Sequence, residues 1–191
     1  MLKEGSRTPW GRAQSVAVLT KGVQSVETAG HGGIKVGRKL NALIPRAFRR
    51  SAGWYEEDLE SYIVDAFLLH KDAAHAAHAE LRDWFPDAWT ETTGEQVTPA
   101  QSHVVRRRMD AQKHAGTLVA IAAWGDWHPQ VPAGMVGICA TPGWERGVCG
   151  SMACTETWWL VPASAHKSDG RRCEMGFVVD PEHDQPWTEH P

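Results

Sequence analysis

His31 is the side chain in this sequence best placed to do chemistry. It stands inside Thr28-Ala-Gly-His-Gly-Gly-Ile-Lys35, among glycines that let the backbone take positive φ and let another group come close. About twenty residues further on, Gly53-Trp-Tyr-Glu-Glu-Asp58 supplies three consecutive carboxylates. Asp126 and His128 add a second acid and imidazole in the polar-aromatic turn Gly125-Asp-Trp-His-Pro129. A histidine at a glycine corner with a carboxylate to orient it is the minimal equipment for general acid–base work. His31, Glu56, Glu57, Asp126 and His128 are therefore the catalytic candidates. The same groups can instead bind a polar ligand or partner, or tie two layers together by hydrogen bonds. The residues alone leave all three roles open.

A binding role draws on a wider set: Trp54, Glu56, Glu57 and Asp58 together with Arg38, Arg49 and Arg50. From Lys35 to Arg50 the chain carries Lys35, Arg38, Lys39, Arg46, Arg49 and Arg50 and no acid. This segment reads either as a solvated short helix and loop around Pro45 or as a patch facing phosphate, nucleic acid or an acidic partner. Arg106-Arg-Arg108 is a second basic cluster, but it is short and lacks interleaved aromatics, so direct nucleic-acid binding is not supported.

Metal and nucleotide motifs are weak. The cysteines are spaced C-x9-C-x4-C-x18-C (Cys139, Cys149, Cys154, Cys173), whereas structural zinc sites use two close pairs. His75 and His78 stand three apart, without a third ligand nearby, on an Ala-rich face that reads as surface. Gly30, Gly32 and Gly33 lack the spacing and Lys-Ser/Thr ending of a phosphate loop, and no Gly-x-Ser-x-Gly elbow occurs. No metal centre and no cofactor is assigned.

Composition sets the frame for these residues. The chain has 191 residues, 42% apolar and 23% charged, with 20 basic against 23 acidic side chains. That suits a single domain over 1–191 with a real core, softly divided at a polar loop over 90–99. A formal charge of −3 gives no global pull toward nucleic acid or anionic lipid. Ten tryptophans against two tyrosines are unusual; each Trp reads as core or as interface. No apolar run is long enough to span a membrane and the N-terminus lacks the apolar stretch of a signal peptide, so a cytoplasmic protein with reduced thiols is expected.

The elements that must position these groups follow from periodicity. Thr8-Pro-Trp-Gly11 reads as a turn with one buried ring. Gln14–Leu19 and Val23–Thr28, split by Lys21-Gly22, read as a β-hairpin, and Ile34–Val36 reads as a short third strand. Leu59, Tyr62, Ile63, Ala66 and Phe67 form one apolar stripe, which predicts a helix over Glu56–Leu69 with the three acids in its first turn, where the helix dipole favours them. A second helix is expected over Lys71–Phe85, stopped by Pro86, and a third over Gln101–His114. Thr117–Trp124, Met135–Ala140, Trp158–Val161 and Met175–Val179 read as strands of a buried antiparallel sheet, and the acidic tail from Asp180 as loosely ordered at its very end. The fold class is α+β: an N-terminal hairpin, two to three central helices and a C-terminal antiparallel sheet.

Several stretches resemble a domain family of unknown function found in bacteriophages, prophages and plasmid-borne loci. They are Thr8-Pro-Trp-Gly-Arg-Ala-Gln14, Thr28-Ala-Gly-His-Gly-Gly33, Arg38-Lys-Leu-Asn-Ala42, Ile44-Pro45 and Gly53-Trp-Tyr-Glu-Glu-Asp58. The likeness continues through Gly125–His128, Val131–Gly137, Trp159–Pro162 and Phe177–Pro181, and so over nearly the whole chain. Gly30 stands where that family often has Ser. The Cys-bearing loop and the His75/His78 helix have no counterpart in it. The resemblance implies a mobile-element setting, and small proteins there often block host defences. It suggests a non-enzymatic, anti-CRISPR-like inhibitor acting on a host protein or ribonucleoprotein complex in the bacterial cytoplasm. The alternative is a hydrolase, or a sponge for a nucleotide-like molecule, built on His31 and its acids.

Overall fold

The computed structural model describes residues 1–70, 72, 76–143 and 156–190; His75, Cys149 and Cys154 lie outside them. The chain forms two compact units, Met1–Val105 and Arg106–Pro191. Helices and antiparallel sheets occur together, so the fold is α+β.

In the first unit a small hairpin, β1 (Arg7–Thr8) and β2 (Gly11–Arg12), leads into a four-stranded meander. Its strands are β3 (Ser15–Thr20), β4 (Val23–Glu27), β5 (Gly32–Val36) and β6 (Trp54–Glu56), each antiparallel to the next. Lys21-Gly22 makes the predicted turn, with Gly22 at φ 87°. β3 is the outer strand and leaves Val18 and Leu19 exposed, whereas Val23, Val26, Ile34 and Val36 on β4 and β5 are buried. Between β5 and β6 run α1 (Arg38–Asn41) and a loop that buries Ile44 and Phe48.

The expected helix over Glu56–Leu69 is corrected at its start. Glu56 ends strand β6, residues 57–60 form a turn, and α2 begins only at Ser61 (Ser61–Val64), passing into a π-helical turn over Asp65–Leu69. The apolar stripe does face the core through Ile63 and Ala66, but the three acids are not a helix first turn. Pairing of β6 with β5 outweighs local helix preference there, because it buries Tyr55 completely. Pro86 likewise does not merely stop α3 (Ala76–Trp84). It opens α4 (Pro86–Thr93), at the position where a missing N–H costs nothing, so 90–93 are helical and not loop. His78 is also not a surface residue: it is buried between Phe67 and Trp89, at ring distances of 6.3 and 5.9 Å. The third helix, α5 (His103–Lys113), lies within its predicted span.

In the second unit β7 (Leu118–Trp124), β8 (Met135–Pro142) and β9 (Thr157–Pro162) form the expected antiparallel sheet. Cys139 is buried on β8. The fourth strand is not 175–179. It is β12 (Gln185–Pro186), which pairs with β9. After α6 (Ala163–His166) and a 3₁₀ turn (Asp169–Arg171), β10 (Arg172–Cys173) and β11 (Gly176–Phe177) make a separate hairpin that touches β7 through a Val119–Val178 bridge. No helix among the described residues is long and apolar enough to cross a membrane.

Candidate functional site

Strand register brings the glycine corner and the acids together. Gly33 on β5 pairs with Glu56 on β6, and the Glu57 N–H donates to the Gly32 carbonyl at 3.2 Å. His31, just ahead of β5, therefore lies beside the residues just past β6. Its own position is set by Thr28, whose hydroxyl donates to the His31 carbonyl at 2.5 Å while the Thr28 N–H donates to the same oxygen at 2.8 Å. The His31 Nδ1–H donates to Glu57 Oε1 at 2.8 Å, and Nε2 lies 3.6 Å from Glu56 Oε1. The imidazole is thus held between two carboxylates, near the surface.

The glycines at 32 and 33 are demanded by close approach. A Cβ on Gly32 would overlap the Glu57 carboxylate, and one on Gly33 would overlap the Trp10 ring and the Tyr55 carbonyl. Trp10 meets His31 edge-on at 6.1 Å and Trp54 at 5.7 Å, and Lys35 Nζ lies 4.7 Å over the Trp54 ring while donating to the Ala52 carbonyl at 2.5 Å. Burial lowers the Lys35 pKa. The hydrogen bond to Glu57, and then the fields of Glu57, Glu56 and Asp58, raise the His31 pKa against a smaller opposing effect of desolvation. One donor atom each from His31, Glu56 and Glu57 all lie within 4.8 Å of one another. Nitrogen and carboxylate oxygens in that set suit a divalent ion such as Zn²⁺ or Mn²⁺, which would have to displace the imidazole proton.

The other candidates fall in different places. Arg38 is exposed at the start of α1. The Arg49 guanidinium donates to the Ala42 carbonyl at 2.8 Å and twice to that of Ile44, at 2.7 and 3.0 Å. Arg50 Nε donates to Glu60 Oε1 at 2.6 Å. Two of the three arginines therefore hold the 42–60 segment together. Asp126 and His128 belong to the second unit: Asp126 Oδ2 accepts the Gly134 N–H at 3.2 Å, and the His128 ring stands edge-on to Trp187 at 6.1 Å.

A partly buried triad that residue types did not disclose lies beside the site. The Tyr55 hydroxyl donates to Asn41 Oδ1 at 2.6 Å and accepts the Arg50 N–H at 3.2 Å, while Asn41 Nδ2 donates to the Arg50 carbonyl at 2.9 Å. Burial pushes the Tyr55 pKa up. The triad fixes β6 against the loop and so fixes Glu56 and Glu57. Its only trace in the sequence is a polar Asn41 within an otherwise basic and apolar stretch.

A surface-held imidazole–carboxylate cluster on a sheet edge is what the first unit presents. The chain belongs to the domain family of unknown function DUF7007, whose model matches residues 3–115. That span holds every residue of the His31 cluster and ends before the segments from Gly125 onward. No curated protein and no solved structure matches the chain.

Proposed function

We propose that the protein is a phage or mobile-element accessory protein that works by binding, presenting the His31–Glu56–Glu57–Asp58 edge to a basic surface of a host defence complex. The observation that carries this reading is the fixed geometry of the edge. Glu56 is held by strand pairing and Glu57 by His31, both at the rim of a sheet and partly open to solvent. Charges already held in place lose less entropy when a partner docks, and a carboxylate edge steers a cationic surface toward it. The mobile-element setting rests on the family resemblance.

The test is affinity capture from host lysate with the wild-type chain and with a Glu56→Lys/Glu57→Lys double variant. A host complex held by the wild type, lost or much weakened in the variant, and released by salt is the expected result. Full capture by the variant sinks the proposal.

A second reading is favoured by the 2.8 Å His31–Glu57 contact, which has the geometry of a base and its orienting acid. On it, the protein hydrolyses or sequesters a nucleotide-like molecule, with His31 as base or metal ligand. A folded His31→Ala protein that keeps its full cellular effect excludes that role.

A further inference from the structure

The N-terminal hairpin sets two arginines directly opposite each other. β1 pairs with β2 in the register Arg7↔Arg12 and Thr8↔Gly11. Directly opposed residues of an antiparallel pair project to the same face with Cβ atoms about 5 Å apart, and like charges placed so destabilise the pair. The arrangement is nonetheless held firmly. The Thr8 hydroxyl donates to the Gly11 carbonyl at 2.9 Å and accepts the Trp10 N–H at 3.2 Å, and backbone bonds from Gly5 to Ala13 and from Ala13 to Ser6 extend the ladder.

Around this face lies an open concavity of about 520 Å³, lined by Arg7, Thr8, Pro9, Gly11 and Arg12. Its lining holds two guanidiniums and no carboxylate. Arg12 Nη1 donates to the Gly5 carbonyl at 3.1 Å, which ties that guanidinium to the hairpin. Arg7 has no ion pair or side-chain hydrogen bond among the described residues. By contrast, the concavity lined by Lys113, Arg171 and Arg172 also contains Asp180, and its Arg171 is already paired with Asp184.

We propose that the Arg7–Arg12 face is an oxyanion site that takes the phosphate of a small phosphorylated ligand. A guanidinium presents a planar fork of donors matched to phosphate oxygens, and two on one face grip a phosphate or diphosphate from two sides. A doubly charged anion between them turns the like-charge repulsion into attraction. The volume falls in the range of small-molecule sites. None of the lining residues belongs to the His31–Glu56–Glu57 edge, so this site and the proposed docking edge stand or fall separately.

The experiment is isothermal titration of the full chain at low ionic strength with pyrophosphate and with ADP, for the wild type, Arg7→Glu and Arg12→Glu. Saturable binding by the wild type, weakened at least about tenfold (~1.4 kcal/mol) in each variant, is expected. Tighter binding of ADP than of pyrophosphate identifies a nucleotide as the ligand, and equal binding identifies the phosphate group alone; both support the site. Arg7→Glu removes no hydrogen bond and places opposite charges across the hairpin, so its melting temperature should not fall. Absence of saturable binding with both probes, or wild-type affinity in Arg7→Glu, overturns the proposal.

Discussion

His31 shows how a residue's protonation follows from its neighbours. Its pKa lies above the ordinary 6.5 because the imidazolium donates to Glu57 and sits in the field of Glu56 and Asp58. For a group whose folded-state value is raised, the stabilisation is complete below the unfolded value. It is lost as pH rises through the folded value. The His31 contribution is therefore full below 6.5 and declines above it. In an NMR titration the His31 ring protons should show a midpoint above 6.5, and Glu57→Gln should move that midpoint down. A wild-type midpoint at or below 6.5 would show that the carboxylates do not hold the proton. The residue types around His31 stand out in the sequence as a histidine among glycines and three adjoining acids, whereas Asp126 and His128 belong to the second unit. The partner of each was not legible there, since a 2.8 Å contact between residues 31 and 57 depends on strand register.

At the scale of elements, local signals succeeded for the first hairpin of the meander and for α5. The β3–β4 hairpin follows from two valine-rich runs around Lys21-Gly22, and α5 from a polar, proline-free stretch after Gln101. α5 also has a cap that its sequence suggests only weakly. The Ser102 hydroxyl accepts the Val105 N–H at 3.2 Å and donates to the Asp83 carbonyl at 2.7 Å, with Ser102 fully buried. Ser102→Ala removes the cap and the hydroxyl's bond to the Asp83 carbonyl, and should cost roughly 1–2 kcal/mol, read as a lower urea midpoint at unchanged m-value. Residues 56–60 misled because the helical stripe beginning at Leu59 extends smoothly backward through acids that suit a helix start. Only the β5 edge, reached across the α1 loop, draws Trp54–Glu56 into a strand.

For the whole molecule, the informative part is the end that composition marks as polar. Asp184 is almost wholly buried: its carboxylate pairs with both terminal nitrogens of Arg171, and Oδ2 also accepts the Asp180 N–H at 2.8 Å. Trp187 is buried against Gly137, where a Cβ would overlap its ring. β12 adds the last strand to the second sheet. Ending the chain at Val179 removes all three and leaves the Arg171 charge without its buried partner. Loss of the buried tryptophan alone is worth about 3–5 kcal/mol, so the shortened chain should melt well below the full one in calorimetry. An unchanged melting temperature would mean that the tail merely lies on the sheet.

By itself the sequence determined the α+β class, the hairpin, three helical stretches, three strands of the second sheet and the cast of ionisable residues around His31. These follow from apolar periodicity and from glycine, proline and charge at short range, which act within a few residues. The tertiary structure alone decided that Glu56 ends a strand, that His78 is buried, that Arg49 and Arg50 brace a loop, and that the acidic tail closes a sheet. Each of those outcomes is set by burial and hydrogen-bond partners supplied from distant positions. Such partners exist only once the strands have found their register, and no local pattern encodes them.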